Sequence, residues 1–257
     1  MRFGVCAKLK SVANGALGMD YVEPTVQDAL SPLEGEDAFA SRLEAARNSP
    51  APVEGINLFL PPDLKCTGPD VKQEILDQYV ATVLSRAARA GVKVIAFGSG
   101  GSRRCPESFD RLAAVEQMAA HLQRWGAIAA GAGIVIALEP LRKAETNVIN
   151  TLAEGAEIVR RVNSPGIRLL ADTYHMAQES ETPEAIRQAA DLIAHVHCAE
   201  SAGRGPLGAA GEDLRPWFRA LKEAGYNRRI SIEAAWTDFA AQLPGAMEEL
   251  RRQVETA

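Results

Sequence analysis

Short apolar runs rich in β-branched residues alternate with longer amphipathic segments along most of the chain. The runs have the length of strands, and the segments between them have helical periodicity. Strands that alternate with helices predict βαβ units and a parallel sheet, whose strands are apolar because both faces are buried. The predicted strands are 3–7, 53–60, 92–98, 134–139, 167–172, 193–198 and 230–234, with a weaker one at 17–23.

Three of the longer segments have clear helical patterns. Residues 71–91 repeat apolar side chains at three- and four-residue steps and stop at Gly91, and residues 110–133 have a similar pattern. Residues 151–163 begin at Thr151, and Glu154 stands three positions later. This spacing predicts a capping box at the start of that helix.

The number of strands predicts the architecture. Eight strands in 257 residues give roughly 32 residues per unit, which is the size expected of a (β/α)8 TIM barrel. A doubly wound open sheet is the competing arrangement. Because no linker or low-complexity segment interrupts the pattern, we expect one α/β domain over residues 1–257, with its active site at the C-terminal ends of the strands.

Composition narrows the class of protein. The net charge is −5 and no basic run is present, so a nucleic-acid partner is not expected. The four cysteines form no CxxC pair, and the N-terminus lacks the apolar stretch of a signal peptide. No apolar run is long enough for a membrane span. These features predict a cytoplasmic protein with free thiols and no membrane partner.

Four consecutive predicted strands end on or near a side chain that can bind a metal. These side chains are Glu139, Asp172, His197 and Glu233. The C-terminal ends of barrel strands meet at one rim, so the four should lie together. Three adjacent carboxylates repel one another unless a cation lies between them. This set of mostly oxygen donors predicts one divalent metal ion, with Mn²⁺, Mg²⁺ or Co²⁺ favoured and Zn²⁺ possible.

Each of these residues also has a simpler explanation when it is taken alone. Asp172 could cap the helix that follows it, and an acid at a strand end is commonly part of a surface ion pair. A histidine in an apolar strand is commonly a core residue, which is our interpretation of His195. Since four such coincidences in successive units are improbable, the metal site is the favoured interpretation.

Four motifs resemble a known superfamily. LEPLRKAETNVIN (138–150), LLADTYHM (169–176), HVHCAE (195–200) and SIEA (231–234) resemble the xylose-isomerase-like TIM barrels, the sugar phosphate isomerases and epimerases. Within this superfamily the chain is most similar to ketose 3-epimerases of the tagatose/psicose 3-epimerase type. The resemblance extends from about residue 53 to 236 and is faint over 8–52. It is specific for the superfamily and much less specific for the substrate.

The resemblance implies a role for each matched position. Glu139 and Glu233 would be metal ligands and the two catalytic acid/base residues, and Asp172 and His197 would complete the metal site. His175 and Glu145 would bind the substrate. Arg204 is the candidate for a further substrate-binding arginine. Its loop departs from the family pattern by a shift of one residue and by being rich in Gly and Ala.

The implied reaction is proton transfer at a carbon next to a ketone. The cation would stabilise an enediolate, one glutamate would remove a proton, and the other would return it. Return to the opposite face gives an epimer, whereas return to the neighbouring carbon gives an aldose–ketose isomer. A small sugar or polyol ketone is therefore the expected substrate, and a homo-oligomer is possible from the resemblance.

Two other functions are open to this chain, and a third is disfavoured. The same enolate would support elimination, as in a metal-dependent lyase or dehydratase that acts on an inosose or keto sugar. A non-catalytic sugar-binding barrel would retain the fold without turnover. An endonuclease IV-type enzyme shares the barrel, but it needs a multi-zinc cluster, and this chain has only four histidines.

Several loop residues have open roles. Cys66 and Trp236 either line the pocket or have structural roles, Cys66 as a loop residue and Trp236 in packing at the rim. The glycine-rich segment 98–104 lacks the Lys-Ser/Thr ending of a phosphate loop, so we expect a mobile βα loop. Arg103 and Arg104 within it are expected to be solvated charges or, alternatively, to bind a substrate phosphate.

Overall fold

The computed structural model describes residues 1–13, 15 and 18–257. Its strands are β1 (Arg2–Cys6), β2 (Tyr21–Glu23), β3 (Gly55–Ile56), β4 (Val94–Phe97), β5 (Val135–Leu138), β6 (Ile167–Asp172), β7 (Ile193–Cys198) and β8 (Arg229–Ile232). Its helices are α1 (Val26–Leu30), α2 (Glu36–Arg47), α3 (Gln73–Ala90), α4 (Gly100–Arg103), α5 (Arg111–Gly131), α6 (Leu152–Val162), α7 (Thr173–Gln178), α8 (Pro183–Gln188), α9 (Arg215–Glu223) and α10 (Phe239–Glu255).

The eight strands form a nearly closed parallel barrel. Their order is β2-β1-β8-β7-β6-β5-β4-β3, and each pairing between neighbours is parallel. Isolated parallel bridges from Val22 to Val53 and from Thr25 to Asn57 join the two ends of this order. The predicted TIM barrel is confirmed, and the doubly wound open sheet is wrong.

The apolar strands are buried on both faces because helices cover the outside and side chains fill the inside. All four residues of β4 are buried. Inside the barrel, Val94, Ala96, Ala137 and Leu170 pack together as a small separate cluster. Among the described residues, no helix combines the length and the apolarity needed to cross a membrane.

The predicted helices are close to those observed. The helix predicted at 71–91 ends where Gly91 adopts a left-handed conformation (φ 79°), which glycine reaches without strain. Thr151 caps α6 by accepting a hydrogen bond from the Glu154 amide. The predicted capping box differs in one contact, because the Glu154 carboxylate accepts from the amide of Asn150 at 2.6 Å.

Two predictions in the first half of the chain are wrong in extent or type. The strand predicted at 53–60 is reduced to β3, and Leu58 beyond it has a left-handed backbone (φ 52°) that ends the extended run. The segment 98–104 is not a loop throughout, because it contains α4. The weak prediction at 17–23 corresponds to β2, and Leu17 lies outside the described residues.

Candidate active site

The C-terminal ends of β5 to β8 bring together the four residues predicted as metal ligands. We call Glu139, Asp172, His197 and Glu233 the rim cluster. Asp172 and His197 lie on β6 and β7, whereas Glu139 and Glu233 each follow the last residue of a strand. Each member offers one ligand atom, and these atoms all lie within 4.8 Å of one another. The structure therefore gives the predicted set the proximity that shared binding of one ion requires.

The donors of the rim cluster fit a divalent cation. The buried Oε1 of Glu139 and Nδ1 of His197 have no hydrogen-bond partner among the described residues. His197 Nδ1 lies 2.9 Å from a Glu233 oxygen and 3.6 Å from Glu139 Oε1, in geometry that makes no hydrogen bond. With His197 neutral, its Nδ1 lone pair and the carboxylate oxygens would repel at such distances unless a positive charge lay between them.

Asp172 caps a helix and also faces the rim cluster, so the cap and the proposed ligand role are compatible. Its Oδ1 accepts a hydrogen bond of 2.8 Å from the Tyr174 amide and caps α7. Its Oδ2 faces the rim cluster and accepts from Arg204 at 3.0 Å. The cap fixes the orientation of the carboxylate, so that the second oxygen is held toward the other ligands.

The two glutamates of the rim cluster have pKa values displaced in opposite directions. Burial raises the pKa of Glu139, and the nearby charge of Glu233 adds to that rise. Burial acts in the same sense on Glu233, but His197 and Arg204 beside it bring its pKa below the usual value. The two carboxyl groups therefore differ in electrostatic environment although they lie in one cluster.

His175 and Glu145 lie at different distances from the rim cluster. His175 is buried, and its Nε2 lies 3.6 Å from Asp172 Oδ2 and 3.9 Å from Glu139 Oε1. The Arg142 amide donates to its Nδ1 at 3.3 Å, so Nε2 carries the proton of the neutral ring. Glu145 is only half-buried, and its carboxylate pairs with Arg142 Nε at 2.9 Å.

Arg204 lies directly against the rim cluster. Its Nη2 donates to Asp172 Oδ2 at 3.0 Å and to Glu233 Oε2 at 2.6 Å, and its Nε donates to the Glu233 carbonyl at 3.2 Å. Its guanidinium also lies 5.0 Å from the ring centre of Tyr174. The shifted, Gly-rich loop therefore still delivers an arginine to the predicted site.

Arg103 has a role that the sequence did not suggest. It is fully buried, so the expected solvated charge is wrong for this residue. Its Nη2 donates to the backbone carbonyl of Glu139 at 2.6 Å, and its Nη1 donates to that of Phe97 at 3.4 Å. Burial lowers its pKa to about 10. Arg103 thus ties the exit of β5 to the exit of β4.

Gly98 gives Glu139 the space that it needs. A Cβ at this position would clash with Glu139 Oε2. Gly98 follows β4 directly, and its φ is not positive, so glycine is required here for a close approach and not for a turn. A Cβ at Gly100 or Gly101 in the same glycine-rich segment would also lie too close to its neighbours, so more than one of these glycines is required for packing.

Glu23 is the main site residue that sequence reasoning missed. It ends β2, is fully buried, and lies between His195 Nε2 at 2.7 Å and His197 Nε2 at 2.9 Å. Burial would raise its pKa, but the two histidines hold that pKa well below the usual value. The signal was present, because YVE is another short apolar strand that ends on an acid. His195 is a buried core histidine, as expected.

The remaining loop candidates pack against neighbouring side chains. The Cys66 side chain is buried with its Sγ 3.5 Å from Met118 Sδ, and Trp236 packs edge-to-face on Phe239 at 5.1 Å. All four cysteines are free thiols. Cys6 at the end of β1 is half-buried, with its Sγ 3.8 Å from His197 Nε2.

Known proteins share both sequence and fold with this chain. An L-ribulose 3-epimerase of Methylomonas sp. (strain DH-1) is 31% identical over 229 residues, which cover 88% of this chain and 77% of the relative. A D-psicose 3-epimerase of Agrobacterium fabrum is 34% identical over 105 residues, which cover 39% of this chain and 35% of the relative.

Solved structures agree on the fold. A crystal structure of D-psicose 3-epimerase with D-tagatose from Clostridium cellulolyticum H10 has a TM-score of 0.84 at 19% identity and covers 99% of both chains. The family description "Xylose isomerase-like TIM barrel" matches residues 13–255. The chain therefore belongs to the xylose isomerase-like TIM-barrel family and is an enzyme of its isomerase and epimerase class.

Proposed function

We propose that this protein is a divalent-metal-dependent ketose 3-epimerase. The observation that carries the proposal is the pair of glutamates Glu139 and Glu233, which share one small cluster with Asp172 and His197. The similarity to L-ribulose and D-psicose 3-epimerases supports a ketose as the substrate. A glutamate on each side of a bound sugar is what proton removal from one face and return to the other requires.

The rim cluster would hold the cation through one carboxylate oxygen each from Glu139, Asp172 and Glu233 and through His197 Nδ1. Three oxygen donors and one nitrogen favour Mn²⁺, Mg²⁺ or Co²⁺ over softer ions. When bound, such an ion supplies positive charge that stabilises the enediolate formed next to the ketone.

The two glutamates would perform the proton transfers. Glu139 and Glu233 leave the barrel on β5 and β8, so their carboxylates approach the cluster from different sides of the rim. One carboxylate takes the proton from C3 of the ketose, and the carboxyl group of the other gives a proton to the opposite face.

His175 and Arg204 would orient the substrate oxygens. The protonated Nε2 of His175 is a donor within 4 Å of two cluster carboxylates, and a sugar oxygen near them could accept from it. Arg204 carries a permanent charge in a planar fork, which suits a pair of sugar oxygens. Glu145 would act indirectly, because its carboxylate forms an ion pair that holds Arg142 in place.

The test is epimerisation in D2O by metal-loaded wild-type protein, followed by NMR of the sugar. D-psicose, D-fructose and L-ribulose are the first substrates to assay. Proton exchange through an enediolate predicts a C3 epimer of unchanged composition with deuterium at C3. Glu139→Gln and Glu233→Gln should each lower kcat about 10²–10⁴-fold, whereas Glu248→Gln, on the exposed side of α10, should not.

Other products would identify other reactions. A product lighter by one water would indicate the lyase or dehydratase reaction, and an aldose would indicate isomerisation. Turnover of 3-keto sugars alone would point instead to 4-epimerisation, since the 3-dehydro-D-guloside 4-epimerase of Escherichia coli is 30% identical over 107 residues. Normal turnover by folded, metal-loaded Glu139→Gln and Glu233→Gln variants would overturn the proposed mechanism.

A further inference from the structure

A continuous hydrogen-bonded network lies inside the barrel behind the rim cluster. Ser231 Oγ donates to Glu23 Oε2 at 2.6 Å, so the Tyr21 hydroxyl must be the donor in its 2.7 Å contact with Ser231. Glu23 Oε2 also contacts His195, and Glu23 Oε1 contacts His197. Every side chain in this network is buried, although barrel interiors are ordinarily filled by branched apolar residues.

The backbone makes room for the network. A Cβ at Gly55 on β3 would lie 3.1 Å from the Glu23 carboxylate, and a Cβ at Gly4 on β1 would clash with the Tyr21 ring. Two glycines on the strands that flank β2 thus accommodate one buried acid and the ring that supports it. A buried carboxylate costs several kcal/mol unless donors surround it, so its retention calls for a role.

Glu23, His195 and His197 could in principle form a metal site of their own, since their ligand atoms also lie within 4.8 Å. Their geometry is that of direct hydrogen bonds instead. Contacts of 2.7 and 2.9 Å between carboxylate oxygens and ring nitrogens are hydrogen-bond lengths. With Ser231 as a third donor, the carboxylate is satisfied without a cation.

We infer that Glu23 is a positioning residue that holds His197 with its proton on Nε2 and its Nδ1 lone pair toward the rim cluster. A carboxylate can only accept, so a neutral His197 must donate from Nε2 and keep Nδ1 free. The inference rests on the proposed function, in which Nδ1 is a metal ligand. A carboxylate behind a ligating histidine fixes both ring orientation and tautomer, and its loss typically weakens metal binding 10–100-fold.

His195 supports the same arrangement from the other oxygen of Glu23. Its Nδ1 has no hydrogen-bond partner among the described residues, whereas its Nε2 contacts Glu23. The two rings lie 4.9 Å apart at an angle of 79°, so His195 also packs against the face or edge of His197. The metal-binding ring is therefore held by a hydrogen bond at one end and by a neighbouring ring at its side.

The test uses Glu23→Gln and Glu23→Leu in the full-length protein. Metal-free proteins are titrated with Mn²⁺ by calorimetry, and long-range ¹H–¹⁵N spectra of the metal-free proteins give the histidine tautomers. We expect both variants to bind Mn²⁺ about 10–100-fold more weakly. Glu23→Leu removes every acceptor, whereas Glu23→Gln keeps the size of the side chain and one acceptor, so it guards against a failure to fold.

Ser231→Ala is the matched control. It removes one hydrogen bond to Glu23 but leaves the contact between Glu23 and His197. We expect its Mn²⁺ affinity to stay within about threefold of wild type. That change is small beside the roughly 10–100-fold loss expected when the carboxylate behind a ligating histidine is removed. A purely structural role for Glu23 would instead lower the thermal stability of all three variants and leave the Mn²⁺ affinity of the folded proteins unchanged.

The outcomes separate this inference from the proposed function. If wild-type protein binds Mn²⁺ and the folded Glu23 variants bind it equally well, the inference is overturned and the proposed function stands. If wild-type protein binds no divalent ion, the proposed function fails, and the tautomer decides the inference by itself. An Nδ1-protonated neutral His197 in the metal-free wild type would then overturn it, whereas an Nε2-protonated ring that changes in Glu23→Leu would support it.

Discussion

The two halves of the barrel contribute different kinds of residue to the site. Strands β5 to β8 end on the rim cluster, so the second half supplies the groups proposed to bind metal and move protons. Strands β1 to β4 supply groups that hold these in place. Glu23 contacts the ring of His197, Gly98 leaves space for the Glu139 carboxylate, and Arg103 ties down the Glu139 backbone.

The difference follows from barrel closure. Because β1 pairs with β8 and β4 pairs with β5, the first half borders the second on both sides, and its side chains reach the rim cluster from within the barrel. Chemistry can therefore lie on four successive strands while its supports lie 36 or more residues away, the shortest separation being that between Arg103 and Glu139 (139 minus 103). Four predictions test this division of roles, starting from the largest expected effect.

Removal of two proposed ligands should abolish the site in the second half. In the double variant Asp172→Asn/His197→Ala, we expect metal content to fall from about one ion per chain to none, because only two of the four ligands keep their donor chemistry. Elemental analysis after gel filtration measures this. His121→Ala, which removes a buried histidine from α5, should keep its metal. Equal metal content in both variants would mean that the rim cluster is not the site.

One added methyl group at Gly98, in the first half of the barrel, should lower enzyme activity strongly. Gly98→Ala places a Cβ where Glu139 Oε2 lies, so the carboxylate must move. Displacement of a catalytic group by about 1 Å can lower kcat/KM on the order of 10²-fold. Epimerase kinetics measure the effect, and Gly131→Ala is the control because a Cβ there meets nothing within 4 Å. If both variants kept full activity, the first half would not support Glu139 as described.

Tyr21→Phe should separate stability from function within the network. The change removes the donor to Ser231 but leaves the contacts of Glu23 with both histidines. Loss of one buried hydrogen bond should lower the free energy of unfolding by about 1 kcal/mol. Urea unfolding gives that value, and calorimetry should show unchanged Mn²⁺ affinity. A large loss of affinity would show that the support extends as far as Tyr21.

Glu181 tests whether an acid of the second half that lies outside the rim cluster affects the stability of the fold. Burial raises its pKa to about 7, with a further rise from Glu154 and Glu179, although its carboxylate accepts from the Leu152 amide. The folded state therefore holds a proton that the unfolded state loses at lower pH. This contribution to stability is fully present below about pH 4.5 and is lost as pH rises toward 7.

Glu181→Gln should remove that pH dependence. Relative to wild type, the variant should gain stability between pH 5 and pH 8, by less than about 1 kcal/mol because Glu181 is partly exposed and screened. Urea unfolding at the two pH values measures the difference, with Glu184→Gln at an exposed position as the control. A difference that does not change with pH would contradict the raised pKa.

The sequence by itself predicted the architecture and the residues proposed to be reactive. Helical and strand periodicity gave the eight βα units, since each period reflects which faces of an element are buried. Strand ends at Glu139, Asp172, His197 and Glu233 predicted a common rim because parallel strands of a closed barrel share one direction. These inferences need only local pattern and the geometry of one fold.

The tertiary structure decided which residues support the reactive ones. Glu23 has the same local signal as the rim cluster, an acid at the end of a short strand, but its role depends on histidines more than 170 positions away, at 195 and 197. Arg103 resembles a solvated loop charge until α4 turns it onto the Glu139 backbone. Gly98 resembles a turn glycine until a neighbouring strand brings a carboxylate against it. Contacts between distant segments are set by packing, and the periodicity of one segment carries no record of them.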